Sequence, residues 1–226
     1  MSDATPQAPP SGAVTRSTEV QRAARAAAVA TRRRSLPNGV RGMALFLCSE
    51  VTLFGTMLAT YFYLDFGNRR WPPAGIKAPS VTLPLIATGV LTATAVPMWL
   101  SGRAARVRAR APVLGLISLA MVIQLCYLAG QILLFRHDLN QFRPQDTAYG
   151  SIYFTLLAAD HAHVLFGILL DSVVLAFLTV RGLTNYWTIA VRAISIYWYV
   201  VVVITILVTL TPVSYTHLTL PTILRV

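Results

Sequence analysis

Acidic residues are scarce in this chain of 226 residues: eight Asp and Glu stand against nineteen Lys and Arg, and charged residues of both signs make up only 12%. With 55% hydrophobic residues and a mean hydropathy of +0.61, the chain has too little polar surface to close a soluble globule around its apolar segments. It reads as an integral membrane protein. Cysteine is nearly absent as well. Cys48 and Cys126 each fall inside an apolar run, where a thiol behaves as a small hydrophobe, and two such residues can build neither a disulfide framework nor a zinc site. No apolar h-region precedes the first long apolar run, which is read as excluding a cleavable signal peptide. The net charge of +11 would suit a nucleic-acid partner. Nearly all of that charge, however, lies in the first forty or so residues and between the apolar runs, where orientation signals belong, so no nucleic-acid partner is expected.

Five apolar runs remain, at about 42–66, 81–100, 112–135, 149–180 and 190–211. Each is long enough to cross the ~30 Å hydrocarbon core as a helix, so the expected fold is an all-α membrane protein, a bundle of five transmembrane helices. Residues 1–38, rich in Ala, Arg, Pro and Ser, read as a disordered basic cytoplasmic tail. Within it, 20–30 could form a surface helix and Arg32, Arg33 and Arg34 would meet anionic headgroups. Residues 39–212 form the membrane domain. The second span holds Pro84 and Pro97, which membrane helices tolerate, and the third carries Gln124 and Gln131 on one face. Residues 213–226 are set aside, His217 included, because Val213 to Thr222 back-translate to a string resembling a widely used transposase sequencing adapter.

Counting Lys and Arg between the spans gives thirteen on the side of the N-terminus and five on the other. The positive-inside rule then places the N-terminus in the cytoplasm and the C-terminus outside, with spans one and four running in opposite directions.

Ionisable groups inside a membrane span are costly and call for protein or trapped water around them. Glu50 lies eight residues into the first apolar run, roughly 12 Å past its start and too deep to reach the headgroups. The fourth run, through AADHAHVLFGILLDS, contains Asp160, His161, His163 and Asp171. At about 100° per residue Asp160, His163, Gly167 and Asp171 form one stripe, with His161 off it. Counted from the cytoplasmic ends of their spans, Glu50 and Asp171 are expected at similar depth. Two His at i and i+2 point about 200° apart and cannot share one metal without distortion, so no metal or cofactor site is expected in this chain.

The stretch GMALFLCSEVTLFG, residues 42–55, resembles the helix of subunit III of the haem-copper respiratory oxidases that reads much like GMALFILSEVMLF, and Glu50 falls on that family's intramembrane glutamate. DHAHVLFG, Asp160 to Gly167, is similar to the family's HGxHVxxG: His163, Val164 and Gly167 align, while Asp160 and His161 replace His and Gly. Ile196-Tyr197-Trp198-Tyr199-Val200 is similar to the family's YWHFVD, with Tyr199 for His and Val202 for Asp. Five spans match the short bacterial form of this family.

The resemblance implies an accessory, non-redox subunit III of a haem-copper terminal oxidase in aerobic electron transport. Such a subunit supports proton uptake and protects catalytic subunit I, within a cytochrome c oxidase of the bacterial plasma membrane. It implies subunits I and II and membrane phospholipids as partners, haem and copper held by those subunits, and no catalytic centre here. Glu50, Asp160, His163 and Asp171 are then the proton-related or lipid-contacting residues. A quinol oxidase or a nitric oxide reductase would use the same motifs. A small membrane transporter is the alternative of another class, disfavoured by the lack of an internal repeat. An intramembrane hydrolase is disfavoured by the ~16 Å along the helix between Asp160 and Asp171. A purely structural role would have the same polar groups gluing helices through hydrogen bonds worth about 0.6 kcal/mol each.

Overall fold

In a medium without water every backbone N–H and C=O must be satisfied within the segment, and a helix does this. The computed structural model describes residues 21–25, 37–68, 70–76 and 82–211, and among these every regular element is helical. The membrane domain comprises α1 (Asn38–Gly67), α2 (Thr82–Ala93), α3 (Ala95–Arg106), α4 (Arg110–Gln141), α5 (Ala148–Arg181) and α6 (Asn185–Leu210). α2 and α3 together make one span, so among the described residues five helices are long and apolar enough to cross a membrane. The chain divides into Met1–Asn38 and Gly39–Val226. In the first unit the described residues are the exposed helical residues 21–25, inside the expected surface helix, and Pro37 and Asn38. The Arg32 to Arg34 cluster and residues 213–226 lie outside the described residues.

The second span bends where its sequence requires. Pro97 has no N–H to donate, and its ring excludes the carbonyl four residues back, so the helix breaks at Thr94 and restarts in α3. α3 ends in a Schellman turn: the Arg108 N–H donates to Ala105 O at 3.2 Å and that of Ala109 to Ala104 O at 3.0 Å. Arg108 takes the left-handed position (φ 58°) that glycine usually fills. Elsewhere the helices run past the apolar segments that announce them, to Gln141 in α4 and back to Asn185 in α6. Hydropathy measures the hydrocarbon, whereas Arg, His and Asp in the next turn are acceptable helix residues.

α6 packs against α2, α3 and α5, and α4 completes the bundle against α2, α3 and α5. Trp198, Tyr197, Val201 and Val202 of α6 sit in the main core with Leu91, Met98, Ile117 and Val164. α1 stands further off and touches the rest through one ridge. Its buried residues Val40, Leu47, Phe54 and Tyr61 repeat every seven positions. Phe46 meets Phe166 and Tyr61 meets Tyr149, so α1 and α5 are antiparallel.

The two ends differ. At one, Arg108 donates to Asn185 and Arg110 donates to Thr179 O at 2.7 Å, which gathers the Arg-rich ends of α3, α4, α5 and α6. At the other, Tyr61, Trp71, Phe142, Tyr149 and Tyr153 form an aromatic cluster, and the Tyr153 hydroxyl donates to Asp138 at 2.7 Å.

Candidate functional site

The polar stripe of α5 lies along its seam with α6. Asp160 and Asp171 are fully buried, and each receives a donor from α6: Thr205 Oγ1 to Asp160 Oδ1 at 2.7 Å, and Trp198 Nε1 to Asp171 Oδ2 at 2.8 Å. Between them the Tyr197 hydroxyl donates to the carbonyl of His163 at 2.7 Å. Gly167 lets the helices come this close. A Cβ there would lie 2.6 Å from Cζ2 of Trp198 and 2.9 Å from Cε1 of Tyr197, inside van der Waals contact. Gln124 of α4 neighbours Asp171. Its amide and the second carboxyl oxygen, Oδ1 of Asp171, have no hydrogen-bond partner of normal geometry.

His163 faces the other way along the stripe, towards α1. Its Nε2 lies 2.6 Å from Glu50 Oε2, and its Nδ1 lies 2.7 Å from the carbonyl oxygen of Ala159. Both side chains are largely shielded, 16% and 15% exposed, and Phe54 packs edge-on against the imidazole. The two contacts together define the proton count. A carbonyl oxygen can only accept, so Nδ1 must carry a hydrogen and donate it to Ala159. Nε2 then either accepts from a protonated Glu50 or, as imidazolium, donates to the carboxylate. In both cases the pair holds one proton between two bases and is neutral as a unit, which removes most of the cost of placing charge in a membrane interior.

One expectation on depth is corrected. Glu50 sits level with His163, eight residues along α5 from Asp171 or about 12 Å. The count assumed that the helix starts where apolarity starts. α1 instead begins at Asn38, and a Cβ at Gly39 would lie 3.3 Å from Cγ2 of Ile189 in α6, so Glu50 is further from that end than its apolar run suggests. His161, off the stripe, stacks edge-on with Phe135 of α4, so the two histidines face different helices. Among the described residues no three His, Cys, Asp or Glu side chains converge as a metal site requires. The donors that complete the site, Thr205, Tyr197 and Trp198, were not legible as such. Thr205, a lone polar residue in the aliphatic run VVVITILV, carried the available signal.

Five apolar spans around an internal polar seam define an integral membrane protein of the helical-bundle class. The chain belongs to the cytochrome c oxidase subunit III family, whose sequence model matches residues 23–216. It is thus a subunit of a multi-subunit oxidoreductase, a haem-copper oxidase. Cytochrome c oxidase subunit 3 of Bacillus subtilis (strain 168) is 30% identical over 173 residues, covering 74% of this chain and 81% of the relative. Cytochrome c oxidase subunit 3 of Corynebacterium diphtheriae is 30% identical over 176 residues, 74% of this chain and 84% of the relative. Cytochrome bo(3) ubiquinol oxidase subunit 3 of Pseudomonas aeruginosa is 25% identical over 163 residues, 72% and 78% respectively.

Proposed function

We propose that the chain is the accessory, non-redox subunit III of a haem-copper terminal oxidase in aerobic electron transport, sustaining proton uptake and the working life of catalytic subunit I. The observation that carries this is the Glu50–His163 pair, which holds one exchangeable proton between two bases inside the bundle. Subunits I and II are the partners and hold the haem and copper. In support, the intramembrane imidazoles here point at Glu50 and at Phe135 rather than at a common centre. The donor is cytochrome c in the reading we favour, supported by relatives of that name at 30% identity. A quinol donor is the second reading, favoured by the ubiquinol oxidase relative.

The membrane is the bacterial plasma membrane, with the arginine-rich end of the bundle cytoplasmic and the C-terminus outside. A cysteine at Val107, exposed between α3 and α4, labels only from the cytoplasm, and one at exposed Asn140 only from outside, in a chain whose Cys48 and Cys126 are replaced by alanine. Reversed labelling overturns the orientation.

Glu50→Gln tests the function. The glutamine amide can donate to Nε2 and keep the contact, but it cannot exchange the proton. The complex should assemble with its full haem complement, and then take up protons more slowly or inactivate sooner during turnover. Unchanged pumping and lifetime would reduce Glu50 to a helix contact, and failure to assemble would make its role structural.

A further inference from the structure

The α4 side of the seam gathers polar atoms that the protein itself does not satisfy. Gln124 and Asp171 are both 0% exposed and are neighbours across α4 and α5. Oδ2 of Asp171 takes the Trp198 indole, but Oδ1 and both ends of the Gln124 amide have no hydrogen-bond partner of normal geometry. A native interior rarely leaves one such atom, and here three lie together. The polar side chains beside them are engaged elsewhere: the Ser172 hydroxyl donates to the carbonyl of Ile168 at 2.7 Å, and Tyr127 bonds the side chains of Gln131 and Thr88. The second span, which packs against α4, breaks at Thr94 at about the level of Gln124, so the packing there is irregular.

The chemistry of these atoms selects the occupant. Oδ1 and Oε1 accept, whereas Nε2 donates. A hard cation takes about six or more oxygen ligands and would find two here, beside an N–H that repels it. An anion would meet the carboxyl oxygen. A direct contact between carboxyl and amide would join two of the three atoms and strand the third. Water donates and accepts, so it matches a mixed set, and buried water is held by two to four such partners. It also suits either state of the carboxyl group, donating to a carboxylate and accepting from a carboxylic acid. We propose that the junction of α4, α5 and α6 is an internal water site, in which ordered water bridges Oδ1 of Asp171 and the Gln124 amide. The bridge ties α4 into the seam that Thr205, Tyr197 and Trp198 make between α5 and α6. It does not depend on the role proposed for Glu50 and His163, so either can fail without the other.

The test is hydroxyl-radical footprinting of the full chain, purified in mild detergent. An X-ray pulse splits water, and radicals born on an internal water oxidise the side chains against it. Trp198 is the reporter, because it is 0% exposed and its indole bonds the same carboxyl group. Its oxidation should run within about threefold of that of Tyr186, 71% exposed at the start of α6. It should exceed by about tenfold that of Met98, which is as buried as Trp198 but lies among apolar core residues. Gln124→Leu keeps the bulk and removes the amide, and should lower Trp198 oxidation about tenfold. Asp171→Asn still offers water an oxygen and should leave it within about twofold. Thermal midpoints show whether both variants fold, and if Gln124→Leu does not, the Trp198 to Met98 ratio in the parent chain decides. Trp198 as protected as Met98 overturns the proposal in favour of a direct contact, and oxidation untouched by a folded Gln124→Leu variant overturns it too. So does a thermal midpoint that sodium raises over choline in the parent but not in Asp171→Asn, which assigns the site to a cation.

Discussion

The first and last spans are both apolar enough to cross a membrane and have opposite situations. In the most apolar stretch of α1 only 11% of residues are buried, against 56% in α6. α6 is surrounded by helices and spends its few polar groups on partners inside the bundle, through Tyr197, Trp198 and Thr205. α1 presents one seven-residue ridge and leaves Leu45, Val51, Leu53, Tyr63 and Phe66 outward. An apolar face is therefore not necessarily a buried one here, because lipid tails are as apolar as leucine and a membrane helix need not hide its hydrophobic faces. What separates the two helices is where they place polar and small groups. The stripe of α5 serves both: Asp160, Gly167 and Asp171 engage α6, and His163 engages α1.

The largest effect should come from breaking the α6 side. Trp198→Ala empties the most voluminous fully buried side chain and leaves Asp171 without its indole donor. A loss of about 3–5 kcal/mol is expected from the cavity alone, and little folded chain should survive extraction in size-exclusion profiles. A Trp198→Ala chain that melts with the parent would show that the seam is not the core. Gly167→Ala comes next. The added methyl meets the Trp198 and Tyr197 rings, and overpacking of this kind costs about 1–3 kcal/mol, readable as a lowered thermal midpoint. An unchanged midpoint would mean that the helices separate there at no cost.

Much of this seam was legible beforehand. A turn of 100° per residue puts Asp160, His163, Gly167 and Asp171 on one face, and that face is the one turned inward, with His161 off it against Phe135. The spacing of Gln124 and Gln131 likewise marked a buried face of α4. The partners were not legible, because helical periodicity describes one helix at a time. Nothing in the local pattern of Glu50 says that it meets His163 rather than a group near Asp171. That depends on where α1 starts and on Gly39 packing beside Ile189, which are facts about neighbouring helices. Pro97 reads as a proline that a membrane helix tolerates, whereas the structure breaks the span at Thr94.

The smallest expected effect separates the two faces of α1 itself. Leu47 lies in the ridge, 5% exposed, and Leu47→Ala removes contacts with the core, for a loss of about 2 kcal/mol. Leu53, 45% exposed, lies off the ridge, and in detergent or lipid its replacement by alanine exchanges one apolar contact for another, so stability should stay within about 0.5 kcal/mol. Thermal midpoints of the two purified variants make the comparison. If Leu53→Ala falls as far as Leu47→Ala, α1 is held by more than its ridge and the contrast with α6 fails. If the midpoint of Leu53→Ala holds while its recovery in the oxidase complex drops, the outward face of α1 is covered by another subunit rather than by lipid. The weak attachment of α1, the helix that supplies Glu50, would then be completed in the assembly.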